Sequence, residues 1–432
     1  MWSSPVANQN ILAFSPLTFN VGPSNVRFYS YNTNLNLYEK INPGATNFAA
    51  GKGYLIRMPN NHPTTPTVWN GVFVGAPNNG IINVPVVNIS ATQWFNTVGN
   101  PYPSPISLTS FVAANTANIN NTLRFWRKTN TVTTNTGYST WNSGIFTAGP
   151  NFTVSADPLG VLQTGQGFMV EAKSGATSIV FNNAMRIVNT ANQFFRASAP
   201  TKGTRATSKS GFVWLNLIGT SDQNSQMAIG YRENASNNED EFDSTRFNDS
   251  QISISSVINN AEYVIESRAP LNSENQSDVV PLQVRVPSNT AFVIEMDHAT
   301  GFLNDVDTTV FLRDKINSLL IDLKQSGYSF KANSGLVADR FELLINKKGA
   351  VLKEESSTSL SVYKDNNEFV MNAGLNSINS VKVYDLLGRL YFEESNLNTK
   401  ELRFDATGSS NQVLIFKTIF TSGEEVIKKV IN

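Results

Sequence analysis

The sequence predicts an all-β chain built of tandem β-sandwich modules. Its apolar runs are short, rich in aromatic and β-branched residues, and separated by clusters of Pro, Asn and Gly, which is strand-and-turn patterning. The first half contains an internal duplication, and two polar stretches without apolar periodicity divide the remainder. At 432 residues the chain is too long for one ordinary core. The expected modules are residues 1–96, 97–196, 211–346 and 360–432.

The duplication defines the first two modules. Val26-Arg27-Phe28-Tyr29 recurs as Leu123-Arg124-Phe125-Trp126, and Ser4-Pro5-Val6 aligns with Asn100-Pro101-Tyr102 at nearly the same offset. Gly51-Lys52-Gly53-Tyr54-Leu55-Ile56 recurs as Gly165-Gln166-Gly167-Phe168-Met169-Val170, the wider offset reflecting an Asn-, Thr- and Gly-rich insertion around residues 128–160. The repeating unit is thus about 95 residues. Its first copy opens abruptly at Trp2, so part of its first strand is expected upstream. One short helix is expected over Ser107 to Ala114, with Ser107 as its cap. Neither Gly-x-Gly pair has the third glycine of a dinucleotide fingerprint or the Lys-Ser/Thr of a phosphate loop, and each leads into a strand. The expected role of these glycines is close approach of two strands.

Ala197 to Ser210 reads as an exposed basic linker, and Lys347 to Ser359 as a second linker. Between them, runs beginning at Phe212, Met227, Gln251, Glu262, Leu282, Phe292, Val310, Tyr328 and Arg340 are spaced as in a β-sandwich. In the last module Val381 and Val383 alternate with Lys382 and Tyr384, the period of a strand with one buried face. A turn follows at Asp385 to Gly388, where glycine accepts a positive φ that Leu or Arg resists. Leu402 and Phe404 mark another strand. Val413 to Phe420 is apolar on both faces except for Lys417 and Thr418, as in a central strand, and the Ser422-Gly423 turn returns the chain through Val426 to Ile431.

The block Val381-Lys382-Val383-Tyr384-Asp385-Leu386-Leu387-Gly388-Arg389, followed at the C-terminus by the Gly423 hairpin and Lys428-Lys429, resembles the sorting domain of proteins exported by the type IX secretion system of Bacteroidetes. The Tyr-Pro-Asn-Pro block that opens many such domains is replaced here by Ser361-Val362-Tyr363-Lys364-Asp365-Asn366. The middle module, through Val310 to Asp314, Tyr328 to Phe330 and Asp339 to Leu343, and the Trp94 to Pro103 run resemble modules of large adhesin-like surface proteins of that group. The resemblance implies an Ig-like β-sandwich sorting domain, a signal peptide upstream of Met1, and a cell-surface or secreted destination. Its implied partners are the outer-membrane translocon and its shuttle protein. Val381, Val383, Tyr384, Asp385, Gly388, Arg389, Gly423, Lys428 and Lys429 are the sorting-signal candidates.

Lys plus Arg equals Asp plus Glu at 33 each, so no net field draws the whole chain to nucleic acid or membrane. No run of apolar residues reaches membrane-spanning length. The absence of cysteine excludes disulfides, thiol nucleophiles and Cys-based zinc sites, and suits passage through an oxidising compartment. The acidic run holding Glu239, Asp240 and Asp243, with Asp249 nearby, is a candidate calcium loop, but it lacks the spacing and central Gly of a helix-loop-helix site, and a solvated loop is the preferred reading. Asp305 and Asp307 read as a turn. A Ser-His-Asp triad would need His62 or His298, and no nucleophile-elbow sequence accompanies either. No enzyme is expected, and no cofactor beyond calcium. Tyr29, Tyr31, Tyr38, Trp69, Trp94, Tyr102, Trp126, Tyr138 and Trp141 offer rings that stack on carbohydrate or fill small cores, with Arg27 and Arg124 lying over them. The expected activity is binding, to carbohydrate or another surface; accessory modules of a secreted hydrolase and a structural spacer are the alternatives.

Overall fold

The computed structural model describes residues 1–14, 27–57, 71–90, 92–127, 137–149, 159–188, 210–220, 223–247, 252–271, 277–287, 290–347, 360–405 and 412–431. His62, Trp69, Asp249, nearly all of both linkers and much of the insertion lie outside these residues. The chain is all-β, with one helix of two turns among the described residues. It divides into two units, Met1–Lys202 with Glu239–Ser250, and Gly203–Asn238 with Gln251–Asn432.

In the first unit the two copies share one plan. The strand of each Arg-Phe-aromatic motif, Phe28–Asn32 or Ile119–Arg127, lies between the strand after the Gly-x-Gly pair and a hairpin partner. In copy one these neighbours are Tyr54–Ile56 and Leu37–Lys40; in copy two they are Gly167–Ala172 and Gly137–Asn142. The copies then exchange backbone hydrogen bonds reciprocally. Gly99 N donates to Gly51 O at 2.9 Å, and Ser3 N donates to Gly165 O at 2.8 Å, so each Gly-x-Gly pair receives the opening segment of the other copy. Close approach is what these glycines provide: a Cβ on Gly53 would stand 2.6 Å from Val98 O. Gly51 and Gly165 also share a left-handed φ, +75° and +72°, in which other residues are strained. Ile82–Pro85 pairs with Ser178–Phe181, and Val84 and Val86 bury among Phe111, Phe125, Trp141, Phe168 and Phe181. A smaller core joins Ile11, Phe14, Phe28, Phe48 and Tyr54. The helix spans Leu108–Asn115, and Ser107 Oγ accepts from Ser110 N at 3.1 Å, the expected cap.

The second unit holds the sandwich and the terminal module. The sandwich strands run in the order Leu319–Asp322, Thr309–Asp314, Gly335–Asn346, Ser277–Val286, Ser253–Ile258, Ala261–Arg268, Asn224–Tyr231, Gly211–Ile218, Ala291–Ala299 and Tyr328–Lys331. All nine strands that the sequence predicts here are present, and Leu319–Asp322 joins them. The one parallel contact between these strands joins Asn224–Tyr231 to Ala261–Arg268. Alternate residues, among them Val213, Leu215, Leu217, Val280, Leu282, Val284, Leu343 and Ile345, enclose one core. A charged group is buried at its rim. The Asp314 carboxylate accepts from Arg340 Nη2 at 2.7 Å, Tyr328 Oη at 2.8 Å and Asn317 Nδ2 at 2.9 Å.

The terminal module packs a sheet of Ser361–Asp365, Glu368–Asn372 and Glu401–Asp405 against one of Leu390–Thr399, Ile378–Asp385, Val413–Phe420 and Glu425–Ile431. Phe369, Met371, Val381, Val383, Phe404, Leu414 and Phe416 form its own core. Val413–Phe420 has a strand on each side, yet only Leu414, Phe416, Thr418 and Phe420 are buried. Its other face, Val413, Ile415, Lys417 and Ile419, is half-exposed, because no second layer covers that side of a two-layer sandwich. Polar groups join the module to the sandwich: Lys331 Nζ donates to Lys364 O, Arg403 Nη2 to Ser329 Oγ at 3.3 Å, and Lys400 Nζ to Gln325 Oε1 at 3.0 Å. Gly374 sits so close that a Cβ there would be 2.9 Å from Leu320 O.

Candidate functional site

The sorting-signal candidates divide into a buried strand and an exposed tip. Val381 and Val383 are fully buried in the Ile378–Asp385 strand and hold the sheet to its core, whereas Tyr384 is half-buried. Asp385 ends that strand and closes the loop on itself. Its Oδ1 accepts from the backbone N of Leu387 and of Arg389, each at 2.9 Å, and its Oδ2 accepts from Arg389 Nε at 2.6 Å. Asp385 N in turn donates to Arg389 O, and Gly388 N donates to Asp385 O, both at 3.0 Å. Gly388 has φ +79° with open space where a Cβ would be, so the residue is required by the backbone and not by crowding. These hydrogen bonds, foremost the one from Arg389 N, hold the Asp385 carboxyl below its ordinary range.

The closed loop presents Leu386, Leu387 and Leu390, which are 63%, 81% and 51% exposed. Apolar residues are ordinarily buried, and three solvent-facing leucines beside the exposed Arg389 guanidinium make a compact amphipathic knob. In the sequence the leucines look like continuing core; the turn-forming Asp385 before them is the signal that they are not. Gly423 turns the closing hairpin at φ +86°. Lys428 is half-buried and donates from Nζ to Leu360 O at 2.6 Å, burial lowering its pKa, while Lys429 is exposed. The two lysines therefore have separate roles: one ties the last strand to the first, and the other faces solvent.

The acidic loop is built from its own carboxylates. Asp243 Oδ2 accepts from Asp240 N at 2.8 Å, and Asp240 Oδ1 accepts from Phe242 N at 2.9 Å. Asn142 Nδ2 donates to Asp243 O at 3.0 Å, Thr122 and Ser244 hydroxyls meet at 2.8 Å, and Phe247 packs edge-on against Phe95 and Tyr138. Residues 239–247 thereby cap the second copy, and Glu239 and Glu241 face solvent. Among the described residues no three His, Cys, Asp or Glu side chains cluster as metal ligands.

Beneath that cap lies a buried pair that sequence reasoning did not find. Arg124 Nη2 and Nε donate to Glu171 Oε1 at 2.7 and 3.0 Å, both side chains are nearly inaccessible, and the guanidinium lies 4.9 Å from the Phe247 ring centre. The signal available was positional: Glu171 directly follows the repeated block Gly165 to Val170. Of the rings in the first unit, Tyr102, Tyr138 and Trp141 are buried and serve packing, and Tyr29, Tyr31, Tyr38, Trp94 and Trp126 are half-buried. Tyr38 and Tyr138 hydroxyls meet at 3.0 Å, and Trp126 packs against Tyr138 at 5.0 Å. Burial pushes the Tyr31 phenol up to about 12. His298 stacks on Trp214 at 4.1 Å, and its Nδ1 lies 2.7 Å from Asp297 Oδ2; no Ser or Thr hydroxyl is recorded in hydrogen-bond contact with this dyad among the described residues.

No helix of the described residues is long and apolar enough to cross a membrane. No curated protein matches the chain. Residues 350–432, which take in the terminal sandwich and its Asp385 knob, match a family described as a domain of unknown function, DUF8694. The duplicated half and the middle sandwich together, residues 1–345, match another described as a domain of unknown function, DUF8693, and the chain belongs to that family.

Proposed function

We propose that this chain is a non-enzymatic, adhesin-like cell-surface or secreted protein, exported as a type IX client, with residues 360–432 as its sorting domain. The observation that carries the reading is the Asp385–Arg389 knob. A carboxylate that closes its own loop pre-organises three leucines and a guanidinium for recognition, and a rigid epitope loses little entropy when an export machine engages it. The module bearing it has a core of its own and is joined to the sandwich by hydrogen bonds from Lys400 and Arg403. That arrangement suits an address attached to a binding protein. The proposed partners are the outer-membrane translocon and its shuttle. The duplicated half and the sandwich are each proposed to offer binding surface of their own.

The test is to delete residues 360–432 in the native host and follow the remaining protein. Retention within the cell envelope is expected. Normal arrival at the surface or in the medium would refute the sorting assignment.

A further inference from the structure

We infer that the face of the first copy's small sheet that carries Lys40 and Arg57 is a binding site for an acidic polysaccharide, with the exposed Lys40 and Arg57 as anion contacts, the buried Arg27 adding charge behind them, and Tyr29 and Tyr31 as ring contacts. The inference deepens the surface-binding part of the proposed function. It is independent of the route of export.

Register places these residues together. Tyr29 pairs with Lys40 and with Leu55, Tyr31 pairs with Tyr38, and Arg57 N donates to Arg27 O at 2.8 Å. Directly paired residues of antiparallel strands share a face, as do alternate residues along each strand. One face of the sheet thus carries Arg27, Tyr29, Tyr31, Tyr38, Lys40, Leu55 and Arg57, and the other carries Phe28, Tyr54 and Ile56 toward the core. The sheet's single acid, Glu39, pairs with Ser30 on the core-side face and is held by Asn32 Nδ2 at 2.8 Å. Three cations therefore share this face, Lys40 and Arg57 exposed and Arg27 buried, with no carboxylate from its own strands.

The second copy shows what this face looks like when it is neutralised. By the repeat alignment Arg27 corresponds to Arg124, and Arg57, which directly follows Gly-Lys-Gly-Tyr-Leu-Ile, corresponds to Glu171. Copy two pairs Arg124 with Met169, and its guanidinium reaches diagonally to Glu171 under the Phe247 cap. Copy one replaces that acid with a second arginine. Among the described residues the buried Arg27, 3% exposed, has no hydrogen-bond partner at Nε or Nη2, and the exposed Lys40 and Arg57 make no ion pair. Like charges opposite each other across a ladder destabilise it, and a buried unpaired guanidinium costs more. An anion held by the exposed Lys40 and Arg57 offsets the repulsion between these cations and lies within the field of the buried Arg27. Guanidinium forks take carboxylate and sulfate with two parallel hydrogen bonds, and half-buried tyrosines beside them suit the faces of sugar rings. The wider field agrees: residues 1–202 contain eleven Lys and Arg against three acids, Glu39, Asp157 and Glu171.

The experiment measures binding of the purified full chain to polygalacturonate, chondroitin sulfate, neutral dextran and single-stranded DNA by titration calorimetry, at about 0.05 and 0.3 M salt. Expected is binding to the acidic polysaccharides that weakens with salt, none to dextran, and a preference between carboxylate and sulfate that identifies the natural group. Arg57→Glu rebuilds the pair of the second copy, so it should weaken binding at least about tenfold while the melting temperature stays level or rises. If Arg57→Glu fails to fold, the exposed double variant Lys40→Gln/Arg57→Gln replaces it with the same expected loss. Wild-type binding by the variant, equal binding to dextran, or tighter binding to DNA than to either polysaccharide overturns the proposal.

Discussion

Single residues in this chain are most informative where charge is buried. Asp314 is fully buried, which alone would raise its pKa, yet the hydrogen bonds and charge of Arg340, with Asn317 and Tyr328, bring it below the ordinary carboxylate value. A depressed folded pKa contributes stability that is present above the unfolded value of about 3.9 and lost as pH falls through the lower folded value. Thermal melts of the full chain should therefore lose stability below about pH 4. Asp314→Asn should flatten that acid limb and cost about 3–5 kcal/mol at neutral pH, because Arg340 is left buried without its partner. An unchanged acid limb in the variant would show that other carboxylates govern it.

The Val381–Tyr391 hairpin shows how an element can be fixed by its turn. The strand is specified by alternation, but the tip depends on Asp385 accepting from two backbone N–H groups and on the left-handed Gly388. A β-branched residue at that φ costs on the order of 1–2 kcal/mol. Since nothing crowds the position, Gly388→Val should loosen the tip without unfolding the module. Amide hydrogen exchange is expected to quicken at Leu387 to Arg389 and stay slow at Val381 and Val383. Equal loss of protection along the strand would mean that the tip nucleates the sheet. The closing strand Glu425–Ile431 is a sheet edge, with charged Glu425 and Lys429 on its open side, a common guard against edge-to-edge pairing.

At the scale of the whole molecule, the proposed address and the proposed binding body are not cleanly divided. Residues 360–405 and 412–431 have their own core, but Gly374 against Leu320 and the Lys331, Lys400 and Arg403 contacts seat them on the sandwich. Residues 1–346 alone should keep a cooperative melt and lose only a few degrees of melting temperature, about 1–2 kcal/mol, the scale of exposed polar pairs. Loss of the cooperative transition would make the terminal module part of the sandwich's core. Charge also differs across the chain: a net balance of zero conceals a strongly basic first half.

The sequence by itself determined the strands, the duplication, the Ser107 cap, the turn at Asp385 and the closeness required at the Gly-x-Gly pairs. Each follows from local rules: period-two alternation, turn chemistry and glycine's missing side chain. Only the tertiary structure decided that each copy's Gly-x-Gly receives the other copy's opening segment, that residues 239–247 cap Arg124 and Glu171, and that Val413–Phe420 has one covered face. Only it showed that Leu386, Leu387 and Leu390 face solvent while Lys428 turns inward. Those outcomes depend on which faces meet across distant segments, and a residue's neighbours in sequence do not fix its neighbours in space. The Arg27 and Arg57 face needed both: the repeat aligns Arg57 with the acid Glu171, and the register sets Arg57 beside Arg27.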